Sequence, residues 1–169
     1  IMKIPMYRVI DEMIRYNAGD PGLIHHALKV YAFSKAIGEE EGLSKAQQEI
    51  LETAAVLHDI GIRESLRKYG NSDGTHQQIE GPPIAKEMLQ RLGAEEALID
   101  RVCFLIAHHH VYTGVEGIDY RILIEADFLV NVYETPSMQK SADEILKNNF
   151  ETEAGSRYFK ALFLNGAEQ

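Results

Sequence analysis

The stretch AAVLHDIGI (residues 54–62) places a histidine and an aspartate side by side at the end of an apolar segment. Ile50, Ala54 and His58 follow one another at intervals of four residues, so His58 continues the buried stripe of a helix. Asp59 lies about 100° further round the same helix, which ends near this residue. Two adjacent polar side chains at the end of a buried helix can hold one group between them, and this stretch is therefore a candidate binding site.

The rest of the chain is also patterned for helices and shows no strand-like alternation. Asp20 and Pro21 suit one helix start, and SKAQ at residues 44–47 forms a capping box at the next. Residues 63–81 are rich in Gly, Asn, Ser, Asp and Thr, which predicts a surface loop with room for one helical turn, and Pro82 should open the helix after it. The predicted helices span residues 7–17, 20–42, 44–59, 82–93, 95–110, 119–134, 139–149 and 152–164.

Composition limits the class of protein. The chain has 169 residues, 45% of them hydrophobic, and a net charge of −9, which suits one all-α domain over residues 1–169 and argues against coating a nucleic acid polymer or an anionic membrane. A single cysteine, Cys103, excludes an internal disulfide and a zinc site built from several thiolates. The chain shows neither an apolar run of membrane-spanning length nor a signal peptide, so we expect a cytoplasmic protein.

Three further polar residues fall on apolar helix faces. His26 shares a face with Val30 and other apolar residues, and His109 shares one with Ile106. Asp127 lies in the middle of a helix that is apolar nearly all round. Burying a carboxylate there without a partner would cost roughly several kcal/mol of stability. Each residue alone has a plain explanation, because a lone inward histidine is more often a hydrogen-bonded core residue than a ligand.

The set as a whole indicates metal binding. Imidazoles from three separate helices, together with two carboxylates, suit a divalent transition metal. The motifs H-x-x-K-V at His26–Val30, VLHDIG at 56–61, I-x-x-H at Ile106–His109 and EAD at 125–127 resemble the HD-domain superfamily of metal-dependent phosphohydrolases over about residues 20–135. The resemblance implies an all-α helical bundle of the HD-domain type in which one metal is held by His26, His58, Asp59 and Asp127.

The resemblance also raises the question of a second metal. Two-metal members of the superfamily add histidines, and His108 and His109 are assigned as ligands of a second metal or as a general acid. The remaining histidine is expected four residues before Gly81, where this chain has Gln77. His76, one residue away, and Glu80 are the alternatives as ligands or as acceptors behind a ligand. We expect one divalent ion (Mn, Fe, Co, Ni or Zn, with Mg also compatible) and leave a second open.

The implied activity is hydrolysis of a small anionic phosphate compound, such as a nucleotide, by metal-activated water. Lys29 and Arg63 are candidates for stabilising phosphate charge. Three aromatic residues are expected near the mouth of the site, where they could stack on a base or simply pack: Tyr69, Tyr112 and Tyr120. The sequence HHHVYTGVEG lacks the Gly-Tyr-Pro element of the cyclic-dinucleotide branch, which disfavours that branch.

Two alternatives stay open: an HD-fold di-iron oxygenase, and a non-catalytic metal-bearing module that binds a ligand. The apolar C-terminal segment suits either a core helix or a dimer interface, which leaves a homo-oligomer open. Its large apolar residues are Tyr158, Phe159, Leu162 and Phe163.

Overall fold

The computed structural model describes residues 3–164, and this part of the chain is helical with no strand, which confirms the predicted all-α fold. It contains nine α-helices and one 3-10 helix, the latter at Pro136–Ser141 between α7 and α8. The α-helices are α1 Met6–Tyr16, α2 Pro21–Glu40, α3 Lys45–Leu57, α4 Ile62–Tyr69, α5 Gly74–Arg91, α6 Glu96–His108, α7 Ile118–Glu134, α8 Ala142–Asn149 and α9 Glu153–Phe163.

Both predicted helix caps are present. The carboxylate of Asp20 accepts a hydrogen bond from the backbone N–H of Leu23 at 3.1 Å, which starts α2. Ser44 and Gln47 bond each other's backbone N–H with their side chains, at 3.2 and 3.0 Å, and so form the capping box that starts α3. These contacts satisfy backbone donors that a helix start leaves free.

The prediction of a loop over residues 63–81 was wrong. Helix α4 occupies Ile62–Tyr69, and only residues 70–73 connect it to α5. Gly70 ends α4 with φ of +75°, a left-handed conformation that favours glycine. Asp73 accepts a hydrogen bond from the backbone N–H of His76 at 3.1 Å and thereby starts α5. The polar cluster in this stretch therefore contains a helix stop and a helix start in close succession.

The prediction that Pro82 opens a helix was also wrong, because α5 runs from Gly74 to Arg91 and contains Pro82 and Pro83 in its interior. A proline inside a helix removes a backbone hydrogen bond and costs about 3 kcal/mol. Packing offsets this cost, since α5 lies against α4 and α6 and buries Ala85, Met88 and Leu89. Tertiary burial thus outweighs the local preference of proline.

The core is built around α7, as its apolar pattern predicted. Helix α2 packs against α3 and α7, and α3 packs against α6 as well. Ile122, Leu123, Ile124 and Val132 of α7 are completely buried. Polar residues on the inward faces of α2, α3, α6 and α7 therefore share one interior. Within residues 3–164, the helices fall short of the length and apolar character needed to cross a bilayer.

Candidate metal centre

Four side chains from three parts of the chain meet at one point, and they are the four that the sequence predicted as ligands. His26 comes from α2, Asp127 from α7, and His58 and Asp59 directly follow the last residue of α3. The Nε2 atom of His26 lies 3.1 Å from Nε2 of His58 and 3.1 Å from an oxygen of each aspartate. Nε2 of His58 lies 3.3 Å from the same two oxygens.

The opposite ring nitrogens determine which atoms face this point. His58 and His109 each donate Nδ1–H to the backbone carbonyl three residues earlier, at 2.7 Å, because a carbonyl oxygen can only accept. Nδ1 of His26 lies 2.6 Å from a carboxylate oxygen of Glu134 and donates to it in the same way. In their neutral forms, all three imidazoles therefore present the lone pair of Nε2 to the centre.

The centre is built to hold positive charge. Burial alone would lower the pKa of His26, but its bonds to Asp127 and Asp59 outweigh burial and raise it to about 10. Burial also opposes the charged form of His58, and Asp59 above all keeps the pKa of His58 well above its ordinary value. Burial would raise the pKa of Asp59, yet His58 holds it well below the usual range. Two carboxylates among buried imidazoles thus require protons or a metal cation.

Asp59 also reaches a second group of potential ligands, made up of Asp59, His109 and His110. Its other carboxylate oxygen, Oδ1, lies 3.2 Å from Nε2 of His109. That nitrogen is buried and finds no hydrogen-bond partner among residues 3–164. An unsatisfied buried acceptor costs about 1–3 kcal/mol, and a cation beside Asp59 would satisfy it. The donor atoms therefore fit a metal, and Asp59 could contact two ions at once.

The second group contains His110 where the sequence led us to expect His108, and a role for His108 as a general acid stays a prediction. His108 donates Nδ1–H to the carbonyl of Phe104 at 2.7 Å and stacks on the Phe104 ring, with centroids 4.1 Å apart. Helix α6 ends at His108, and the turn that follows brings His110 to the side of Asp59. Burial, and then the neighbouring His109, lower the pKa of His110 to about 4, so its imidazole is neutral at pH 7.

Gln77 stands beside the second group, at the position where the resemblance leads one to expect a histidine. Its Oε1 atom lies 3.2 Å from Nε2 of His110, and its amide nitrogen donates to the carbonyl of Ser72 at 2.6 Å. The side chain is buried, so these two contacts hold it in place. An amide oxygen is a weaker ligand for a transition metal than an imidazole nitrogen.

His76 and Glu80, the two alternatives for that position, have other partners. The ring of His76 stacks on Tyr69 with centroids 3.8 Å apart. The buried carboxylate of Glu80 accepts a hydrogen bond from Lys68 at 2.6 Å. Neither residue belongs to the groups of potential ligands found among residues 3–164. A ligand role for either one stays a prediction.

The two predicted phosphate-binding cations also have partners. Lys29 donates to a carboxylate oxygen of Glu134 at 2.6 Å. Arg63 donates to the backbone carbonyl of Tyr16 at the end of α1. Their role in stabilising phosphate charge stays a prediction.

Glu134 is a residue of the centre that sequence reasoning missed, although a signal was available. It follows Asp127 by seven residues, which places both on one face of α7.

The predicted aromatic residues differ in position. Tyr120 is buried and donates its hydroxyl to the carbonyls of His108 and Val111, so its predicted place at the mouth of the site was wrong. Tyr112 is 42% exposed and packs on Phe128 with ring centroids 5.1 Å apart. Burial, with the charges of the two centre aspartates, raises the pKa of Tyr112 to about 12, so its hydroxyl stays protonated.

Comparison with protein families finds one match that covers most of the chain. The family model described as HD domain matches residues 23–148, a range that contains every member of both ligand groups. Searches of curated proteins and of solved structures gave no match.

Proposed function

The chain belongs to the HD-domain family, and on this premise we propose that it is a metal-dependent phosphohydrolase acting on a small phosphate-containing molecule, most simply a nucleotide. One observation carries the proposal. The Nε2 lone pairs of His26 and His58 converge with oxygens of Asp59 and Asp127 at 3.1–3.3 Å. Imidazole and carboxylate donors together suit Mn, Fe, Co, Ni or Zn better than Mg, which prefers oxygen ligands.

The potential ligands form two neighbouring metal positions. His26, His58, Asp59 and Asp127 would hold one cation, and the second oxygen of Asp59, with His109 and His110, would hold another. Such a cation, when bound, lowers the pKa of a water molecule and polarises a phosphoryl oxygen.

Access to the centre supports catalysis over a closed structural site. The His58 side chain has no exposure, whereas the Asp59 side chain keeps 16% of its surface accessible. A water or a phosphoryl oxygen can therefore approach from the side of Asp59, and Asp59 can orient the water by accepting a hydrogen bond from it. Tyr112, exposed and with a protonated hydroxyl, can donate a hydrogen bond to a phosphoryl oxygen or pack against a base.

The test compares wild type with Asp59→Asn, which keeps the size of the side chain but removes its charge. Asp100→Ala is the matched control, because it removes an exposed aspartate from α6. Metal content is measured by elemental analysis, and phosphate release is measured on p-nitrophenyl phosphate and on nucleoside mono-, di- and triphosphates. We expect Asp59→Asn to lose at least about 100-fold in activity, since even residues behind a ligand cost 10–100-fold.

Two results would overturn this proposal. A wild-type chain that binds no metal after reconstitution with each of these ions excludes the catalytic centre and favours a ligand-binding module. Two bound irons with visible absorption, and no phosphate release from any of these compounds, would assign the centre to the oxygenase alternative.

A further inference from the structure

We propose that Glu134 is a positioning residue of the metal centre, which orients His26 and, together with Lys29, sets how strongly His26 binds a metal. The inference rests on the proposed metal centre and adds to it a part that lies outside the ligand set.

The contacts form a continuous chain from the surface to the centre. Glu134 is the last residue of α7. Its Oε1 atom accepts from Nδ1 of His26 at 2.6 Å, and its Oε2 atom accepts from Lys29 at 2.6 Å. Both carboxylate oxygens are thus used in short, charge-assisted hydrogen bonds. Lys29 and His26 are one turn apart on α2, so a single carboxylate from α7 bridges both of them.

His26 differs from the other two inward histidines in the group that accepts its Nδ1–H. His58 and His109 donate Nδ1–H to backbone carbonyls, whereas His26 donates to a carboxylate. A carboxylate attracts the Nδ1 proton more strongly than a carbonyl does, which increases the electron density at Nε2 and makes the imidazole a stronger ligand. It also fixes the ring so that Nε2 points to Asp59 and Asp127.

A purely structural role for Glu134 would contribute little. The side chains of Lys29 and Glu134 are 38% and 29% exposed, and exposed ion pairs contribute about 0–1 kcal/mol to stability. Helices α2 and α7 already pack against each other, and Val30 and Ile37 of α2 and Val130 of α7 are buried in the apolar core. The carboxylate is therefore not required to hold these helices together.

Lys29 should moderate the effect of Glu134. Its ammonium group competes with Nδ1–H of His26 for the carboxylate charge. Removing Lys29 leaves more of that charge on the bond to His26, so Lys29→Met should bind metal at least as tightly as wild type. Glu134→Ala removes the acceptor altogether and should bind metal more weakly. The two substitutions break the same ion pair but differ in their predicted effect.

The experiment measures Co²⁺ affinity of the full chain by competition with a chelator, together with the visible spectrum of the bound Co²⁺. The variants are Glu134→Ala, Glu134→Gln and Lys29→Met. Glu39→Ala is the matched control, because Glu39 also forms a 2.6 Å ion pair with a lysine of α2, Lys35. We expect Glu134→Ala to weaken Co²⁺ binding by about 10–100-fold and to change its spectrum. Glu134→Gln, which keeps an acceptor oxygen, should lie between wild type and Glu134→Ala, and Glu39→Ala should match wild type.

Three results would overturn the inference, and they separate it from the function on which it rests. Wild-type Co²⁺ affinity and spectrum in both Glu134 variants would show that the carboxylate does not act on His26. Equally weakened Co²⁺ binding in Lys29→Met and Glu134→Ala would show that the ion pair only holds α2 and α7 together. A wild-type chain that binds no Co²⁺ would remove the metal centre itself. If Glu134→Ala fails to fold, the Co²⁺ affinities of Glu134→Gln and Lys29→Met are compared instead. Weaker binding in Glu134→Gln than in Lys29→Met supports the inference, and equal affinity in the two variants overturns it.

Discussion

At the scale of single residues, the ends of two helices explain why histidines stand where apolar stripes stop. His58 and His109 are the C-cap residues of α3 and α6. The last turn of a helix leaves backbone carbonyls without a partner, and each of these histidines uses one of them to hold its Nδ1–H. The remaining nitrogen is then directed into the core with a free lone pair. The helix end thus supplies both the position and the tautomer of a metal ligand.

The second ligand group is expected to depend on Gln77. Gln77→His replaces a weakly coordinating amide oxygen, 3.2 Å from His110, with an imidazole nitrogen. We expect the variant to retain about two Co²⁺ ions per chain after gel filtration, where wild type retains about one. Elemental analysis of the filtered protein measures this ratio.

The control for this prediction is Gln78→His. It adds an imidazole to the same helix at a position outside the groups of potential ligands, so wild-type stoichiometry is expected. An unchanged ratio in Gln77→His would show that Gln77 does not limit the second position.

At the scale of helices, the turn after Asp59 is held by a close crossing with α5. A Cβ atom added to Gly61 would lie 2.6 Å from the backbone nitrogen of Gly81 and 2.9 Å from its Cα. Backbone atoms cannot move aside as a flexible side chain can. The absence of a side chain at Gly61 therefore lets the segment that carries His58 and Asp59 approach α5 directly.

Gly61→Ala should therefore separate α5 from this turn. We expect a loss of about 1–3 kcal/mol in the free energy of unfolding, as for other overpacked sites, and weaker Co²⁺ binding because His58 and Asp59 shift with the backbone. Urea denaturation and chelator competition measure the two effects. Gly22→Ala is the control, since its Cβ would lie 3.4 Å from Asp20 and meet no backbone. Equal stability of the two variants would contradict the prediction.

At the scale of the whole molecule, the centre joins segments that are distant along the chain. Its ligands come from α2, the end of α3, the end of α6 and α7. A metal held by His26, His58, Asp59 and Asp127 therefore links α2, the end of α3 and α7, and a second cation at Asp59, His109 and His110 would add the end of α6. The unfolded chain cannot present the same set of donors, so binding adds directly to the stability of the fold.

Removing the metal should lower the melting temperature. A ligand at 100 times its dissociation constant stabilises the folded state by about 2.7 kcal/mol, which corresponds to about 5–10 °C for a chain of this length. Thermal unfolding with Co²⁺ and with EDTA measures the shift, and Asp59→Asn should show none. Co²⁺ that binds without any shift would place the bound ion outside this centre.

The sequence by itself determined the helical fold and the inward position of His26, His58 and Asp127. These features depend on helix periodicity and on caps such as Ser44 and Gln47, which involve residues only a few positions apart. Gly70 and Asp73 carried the same kind of local signal for the ends of α4 and α5, and they were missed within a polar cluster.

The tertiary structure alone decided three other features. Helix α5 continues through Pro82 because its burial against α6 offsets the cost of the proline. His110 replaces His108 in the second group because α6 has ended and helical spacing no longer applies. Glu134 meets His26 across 108 positions of the chain. Each depends on contacts between segments that are distant in sequence, and the spacing of residues within one segment does not determine such contacts.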